Sequence, residues 1–199
     1  GACVKIAMIM AILTQAFRYA YEPIVFADSA DSSSPATLAA GMKYFIVFTL
    51  LAFLAVMFYM PVLKYFVGSD YWEGLDVVPV VMAAEVFMGI YFNLSFWYKL
   101  TDRTWWGAVM SAAGALVMIT LNVLLVPKIG YRACAWGGFA GYGVAMLMSW
   151  FIGRKYYPVS YDYKAILSCV LLALLLSLMY YLPQILHLTL PLWATLLWA

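Results

Sequence analysis

Apolar residues run along this chain in unbroken stretches of about twenty, with charged and small polar residues gathered in short breaks between them. Twenty residues at 1.5 Å each cover about 30 Å of hydrocarbon, the thickness a helix must cross in a bilayer. A membrane barrel would instead alternate apolar and polar positions over segments of about ten residues. The pattern predicts six full spans and the start of a seventh. The first covers about Ala2–Ala27 and ends in Asp28-Ser-Ala-Asp-Ser-Ser-Ser-Pro35, where Ser34 suits a helix cap and Pro35 a first turn. The second covers about Leu38–Val67, and Gly68-Ser-Asp-Tyr-Trp-Glu-Gly74 separates it from the third, about Leu75–Leu100. Thr101-Asp-Arg-Thr104 reads as a tight turn before the fourth span, which reaches Val126. Pro127-Lys-Ile-Gly130 turns the chain into the fifth, about Tyr131–Gly153, and Arg154 to Lys164 leads to the sixth, about Ala165–Leu182. The last stretch, from Leu186, reaches Ala199 before it would finish crossing. With Gly rather than Met at residue 1, the chain reads as an internal fragment of a longer one, a single membrane domain over 1–199.

Composition agrees. Of 199 residues, 67% are apolar and 10% charged, with a mean hydropathy of +0.94. A soluble domain averages about 25% charged residues and could not hide so much apolar surface. A water-soluble enzyme, a nucleic-acid binder and a disordered chain are excluded; the partner is the lipid bilayer, with no nucleic acid. Arg18 and Glu22 inside the first span argue against a cleaved signal peptide.

Charge in the connections gives orientation. One side collects Lys43, Lys99, Arg103, Arg154, Lys155 and Lys164; the other collects Lys5, Lys64, Lys128 and Arg132 with Asp70, Glu73 and Asp76. The bias places the 28–37, 101–104 and 154–164 connections in the cytoplasm. Tyr71, Trp72, Trp105, Trp106, Tyr156 and Tyr157 fall at span ends and suit an interfacial aromatic belt. Cys3, Cys134 and Cys169 have neither metal nor disulfide spacing and read as small buried packers, and the lone His187 as structural.

A charge within a span is costly, so it marks a partner or a wet cavity. Met8, Ala11, Gln15, Arg18 and Glu22 share one helical stripe of the first span, opposite Ile6, Leu13, Phe17 and Ile24. Three readings of Arg18 stay open: a self-neutralising pair with Glu22 four residues on, a cavity-lining guanidinium offered to a phosphate, or a side chain snorkelling to the interface. Glu85 lies near the middle of the third span with no basic residue in its own helix. Gly89, Phe92 and Phe96 share its face, and Asn93 lies beside it. Such a carboxyl suits proton coupling or a cation contact, or bonds to a neighbouring helix as a neutral acid. Asn122 is expected to bond to a neighbouring helix, and Gly137, Gly138, Gly141 and Gly143 to allow close helix packing or a hinge. The sequence has no histidine cluster, serine elbow or nucleotide loop, which points to a carrier without cofactor or metal rather than an enzyme.

Several stretches carry a resemblance. Val4-Lys-Ile-Ala through Phe17-Arg-Tyr-Ala-Tyr-Glu-Pro23, Tyr71-Trp-Glu-Gly-Leu-Asp-Val-Val-Pro79 and Trp97-Tyr-Lys-Leu-Thr-Asp-Arg103 are three. The most specific is Leu121-Asn-Val-Leu-Leu-Val-Pro-Lys-Ile-Gly-Tyr131, followed by Ala133, Ala135 and Trp136. In order and spacing these resemble the carboxyl-terminal half of polysaccharide-biosynthesis flippases, the O-antigen and capsule branch of the multidrug/oligosaccharidyl-lipid/polysaccharide exporter superfamily. The likeness covers roughly residues 1–165. It implies a fourteen-helix parent in which 1–153 supplies five spans of the carboxyl-terminal lobe and 154–199 the additional carboxyl-terminal spans. It further implies a multi-pass protein of the bacterial inner membrane, alternating access against a missing amino-terminal lobe, and a polyprenyl-pyrophosphate-linked oligosaccharide as substrate. Members hold the anionic head with cavity-lining arginines; Arg18 lies in a helix suited to that role but matches no motif position of the family. On this reading Arg18, Gln15 and Glu22 bind substrate, while Glu85 and Asn93 serve coupling or line the cavity. The alternatives are an ion-coupled exporter of drug cations from the same superfamily, or a membrane-embedded glycan polymerase or transferase.

Overall fold

The computed structural model describes residues 2–28, 34–63, 65 and 69–185. Every regular element among them is helical, with no strand. The 29–33 breaker, Lys64 and the apolar stretch from Leu186, with His187, lie outside the described residues, as do the side chains of Cys3, Ile6, Ser34, Asp70 and Tyr71. Helix α1 spans Ala2–Asp28 and α2 spans Ser34–Phe58. A four-residue α3, Met60–Leu63, follows α2. The break at Tyr59 precedes Pro61, whose missing N–H and crowding ring interrupt the helical ladder. A 3-10 helix, Ser69–Val77, leads into α4, Val78–Leu94, with Pro79 in its first turn. Then come α5 (Phe96–Leu100), α6 (Trp105–Ile129), α7 (Arg132–Tyr156) and α8 (Tyr163–Ile185).

Among the described residues, five helical segments are long and apolar enough to cross a membrane: Pro35–Phe58, Trp72–Leu100, Trp105–Ile129, Arg132–Tyr156 and Tyr163–Tyr180. The chain therefore has the make-up of a multi-pass membrane protein. Helix α1, which carries Gln15, Arg18 and Glu22 in its second half, is not among these five.

Two features of the helices differ from the sequence reading. Pro127 does not stop α6, which runs to Ile129; so close to the helix end the proline disturbs little of the ladder. The stop is Gly130, whose φ of 61° suits a residue without a Cβ. The third span bends at Ser95, where Ser95 Oγ donates to the Phe92 carbonyl at 2.6 Å and its N–H is shared between Tyr91 and Phe92. The 101–104 turn is as tight as expected, with Asp102 at φ 54° and Arg103 N–H reaching the Tyr98 carbonyl at 2.8 Å.

Helix α4 is the hub, packed on α7, α1 and α2; α6 lies along α7, and α8 chiefly along α2. Lipid is as apolar as leucine, so these helices are held by close packing and polar contacts rather than by exclusion from water. The α6–α7 seam shows it. Gly114 and Gly141 face each other so closely that a Cβ on either would stand 2.8 Å from the other's carbonyl oxygen. Gly143 meets Phe87 of α4, whereas Gly138 faces open space. Outward, Leu116, Ile119 and Val123 of α6 and Leu171, Leu174 and Leu175 of α8 are exposed, as lipid-facing residues are.

Polar contacts gather at the two ends of the bundle. At one, Tyr21 Oη donates to the Thr37 carbonyl at 2.7 Å and Lys43 pairs with Asp162 at 3.3 Å. At the other, Arg132 pairs with Asp76 at 2.6 Å and Tyr131 Oη donates to the Glu73 carbonyl at 3.1 Å. Lys43 and Arg132 thus lie at opposite ends, in keeping with the sorting of basic residues by span. Among the expected belt aromatics, Tyr156 stacks on Trp97 with centroids 5.8 Å apart and carries Arg103 4.5 Å above its ring.

Candidate functional site

The buried stripe of α1 is Ala7, Met10, Thr14, Tyr21 and Val25. The expected polar edge lies beside this buried face, with Ala11, Gln15, Arg18 and Glu22 half-buried and Met8 exposed, and Ile24 of the opposite apolar stripe is exposed. Arg18 and Glu22 flank the true buried face and reach toward α4 and α5. Their i,i+4 spacing lets Arg18 Nε donate to Glu22 Oε2 at 3.4 Å. The bend at Ser95 carries α5 past α1, and Lys99, in the last turn of α5, donates from Nζ to Glu22 Oε1 at 2.7 Å. That position also complements the partial negative charge of the helix end.

Two rings floor the cluster. Arg18 Cζ lies 4.8 Å from the centroid of Phe92, and Lys99 Nζ lies 5.1 Å from that of Phe96. A narrow cleft is lined by Arg18, Lys99, Thr14, Gly89, Phe92 and Asn93 among others; its volume of about 10 Å³ is room for a single water. The Thr14 hydroxyl is fully buried and makes no hydrogen bond among the described residues. Phe17 lines both this cleft and an apolar groove of about 450 Å³ between α1 and α2.

The sequence candidates fare unequally. Arg18 and Glu22 are brought together as a pair, and Lys99 joins them, 77 residues from Glu22. Asn93 lines the cleft, but its amide is committed, donating to the Gly89 carbonyl at 3.0 Å. Gln15 is half-buried and lies away from the cleft lining. Glu85 is half-buried and also outside the cleft, and it has no hydrogen bond or ion pair among the described residues. Asn122 does pack against α7, at Gly137, yet its Oδ1 is buried without a hydrogen bond, contrary to the expected helix-to-helix bond. Cys134 is exposed and Cys169 half-buried, so Cys134 is no buried packer.

Lys99 is the functional candidate that sequence reasoning missed. It was counted only as a span-end charge, and nothing local ties it to a carboxylate in another helix. Two cations around one carboxylate leave the cluster with a surplus positive charge, half-buried at one end of an apolar bundle. Such an arrangement can hold an anion. Among the described residues no group of three His, Cys, Asp or Glu could hold a metal ion. Comparison with protein-family models, with curated proteins and with solved structures finds no match to this chain.

Proposed function

We propose that this chain forms part of a membrane carrier for a lipid-linked oligosaccharide, whose pyrophosphate is held at the Arg18–Lys99 cleft while its polyprenyl tail stays in lipid. The observation that carries the reading is the surplus cation charge at that cleft, where Arg18 and Lys99 meet in a chain otherwise built to face hydrocarbon. Guanidinium and ammonium groups in a low-dielectric site favour phosphoryl oxygens over neutral sugars. On this reading α1, 27 residues and about 40 Å long, also crosses the bilayer. The end bearing Lys43, Lys99 and Asp162 faces the cytoplasm of a bacterial inner membrane, and an amino-terminal lobe completes the cavity.

The test is reconstitution of the full-length parent in liposomes with a polyprenyl-pyrophosphate oligosaccharide, following the rate at which the sugar becomes accessible on the opposite face. Rapid movement that Arg18→Ala abolishes, with the variant still inserted and folded, is the expected result. Normal flipping by Arg18→Ala removes the arginine from the mechanism. Glu85, half-buried with no hydrogen bond or ion pair among the described residues, favours a second reading, an ion-coupled exporter of lipophilic cations. That reading expects cation-dye uptake lost in Glu85→Gln and no movement of the glycolipid.

A further inference from the structure

We propose that Lys99 is the second cation of this anion site, and that Glu22 is its resident counter-ion, a carboxylate that an incoming phosphoryl group displaces from Arg18. The inference rests on the anion-cleft reading above and adds to it the residue that sets how tightly the anion is held.

The geometry of the two pairs is unequal. Lys99 is tied to Glu22 at 2.7 Å, whereas Arg18 touches it through Nε alone at 3.4 Å. A guanidinium carries five N–H donors, so most of the donor capacity of Arg18 is unspent. The cation–π contact with Phe92, 4.8 Å from Cζ to the ring centroid, uses none of the hydrogen-bond acceptors those donors need. The weaker contact is the one a ligand competes for.

Space points the same way. Arg18 of α1 and Lys99 of α5 both line the cleft, and Glu22 ties those two walls together. The cleft's volume of about 10 Å³ admits a water but not a phosphate group. Seating an anion between Arg18 and Lys99 therefore requires the lining side chains to shift, and the Arg18–Glu22 contact at 3.4 Å is the looser of the two ion pairs that hold them. A dianionic pyrophosphate satisfies both cations, while a neutral sugar offers Arg18 nothing for the carboxylate it gives up. Glu22 thus sets a threshold of charge for occupancy.

A purely structural tether makes the opposite prediction. Removing a tether loosens the site and weakens binding; removing a competing counter-ion strengthens it. The experiment is titration of the full-length parent in nanodiscs with two probes, inorganic pyrophosphate and farnesyl pyrophosphate, read by calorimetry. Glu22→Gln should bind at least one probe roughly fivefold more tightly than wild type, the worth of about one half-buried charge-assisted contact. Lys99→Gln should bind roughly fivefold or more weakly on the same grounds. Tightening with both probes assigns the site to the phosphoryl group alone; tightening only with the farnesyl compound assigns it to a lipid-borne phosphate. Either supports the inference.

Glu22→Gln that folds with wild-type thermal stability yet binds no more tightly overturns the counter-ion role while leaving the anion cleft standing. Unaltered binding by Lys99→Gln overturns the role of Lys99. Absence of binding in wild type and Glu22→Gln alike overturns both this inference and the reading it rests on. Should Glu22→Gln fail to fold, Glu22→Asp carries the test: its shorter carboxylate keeps the charge but gives up Arg18 first, and it too must bind more tightly.

Discussion

The seam between α6 and α7 invites a direct perturbation. Helix α6 has α7 as its main partner and buries little else, so the seam decides whether α6 docks at all. A Cβ placed on Gly114 would stand 2.8 Å from the Gly141 carbonyl oxygen and 3.2 Å from Ala145 Cβ. Both helices are rigid there, and the nearest obstacle is backbone, which has no rotamer to move. Relief requires the helices to part by about half an ångström along the seam, forfeiting a quarter or more of the dispersion attraction of every atom pair stretched by it. Overpacking of this kind costs about 1–3 kcal/mol, against the gain of about 0.5–1 kcal/mol that alanine brings over glycine within a helix. Gly114→Ala should therefore destabilise the purified protein by about 1–2 kcal/mol, measured by reversible unfolding in mixed detergent micelles. Gly141→Ala meets Gly114 O at the same 2.8 Å and should cost as much. The double variant should cost less than the sum, because one parting of the helices relieves both clashes. Gly138→Ala, which meets nothing within 4 Å, is the control and should be neutral or slightly stabilising. Gly114→Ala as stable as Gly138→Ala would refute the seam argument.

Three further outcomes follow from single contacts. Thr14→Val replaces an unpaired buried hydroxyl by a methyl of similar shape and should stabilise the protein by about 1 kcal/mol; a loss of thermal stability would mean that the hydroxyl is partnered in the membrane. Ser149→Ala strands the indole N–H of Trp97, which donates to Ser149 Oγ at 3.1 Å in a fully buried setting, and should cost about 1–3 kcal/mol. Adding Trp97→Phe to Ser149→Ala should then lower stability by less than Trp97→Phe does alone, and simple additivity in the unfolding cycle would count against the bond. The Ala165 N–H and the Lys43 ammonium hold the Asp162 carboxyl below its ordinary 3.8. A carboxyl lowered in the folded state stabilises it above the ordinary value and loses that effect as pH falls through the folded one. The thermal stability gap between wild type and Asp162→Asn should accordingly hold from pH 7 to about 5 and close below the carboxylate range; a gap that closes near neutrality would implicate another group.

The helical class and most of the span positions were legible because lipid leaves the backbone so few solutions. Apolar run length alone located α4 with α5, α6, α7 and α8 within a few residues, whereas the second span, expected over Leu38–Val67, is α2 over Ser34–Phe58 followed by the short α3. What the runs could not reveal was which face of each helix meets another. In α1, the stripe of Ala11, Gln15, Arg18 and Glu22 borders the buried face without forming it, since the helix turns its Met10, Thr14 and Tyr21 side into the bundle. The Arg18–Glu22 pair was legible from spacing; the third member, Lys99, was not, because its position depends on the bend at Ser95 and on the docking of α5 beside α1. Asn122 was legible as a contact residue at the α6–α7 seam but not as an unbonded one, a matter of atomic approach that no pattern encodes.

The close meeting of Gly114 and Gly141 also bears on how the chain enters the bilayer. Of the five helices apolar enough to cross, α6 is the most hydrophobic and α7 the least, its glycines and terminal charges having diluted it. Left alone, α7 would partition weakly. The turn at Gly130 is so short that α7 follows α6 directly, and Gly114 and Gly141 let the two backbones meet closely where they face each other. The two should therefore insert as a hairpin, with α6 as the anchor that draws a reluctant partner in behind it. The glycines that weaken α7 as a solitary span are the same ones that secure its membership of the pair, so its residence in the membrane is decided by its neighbour.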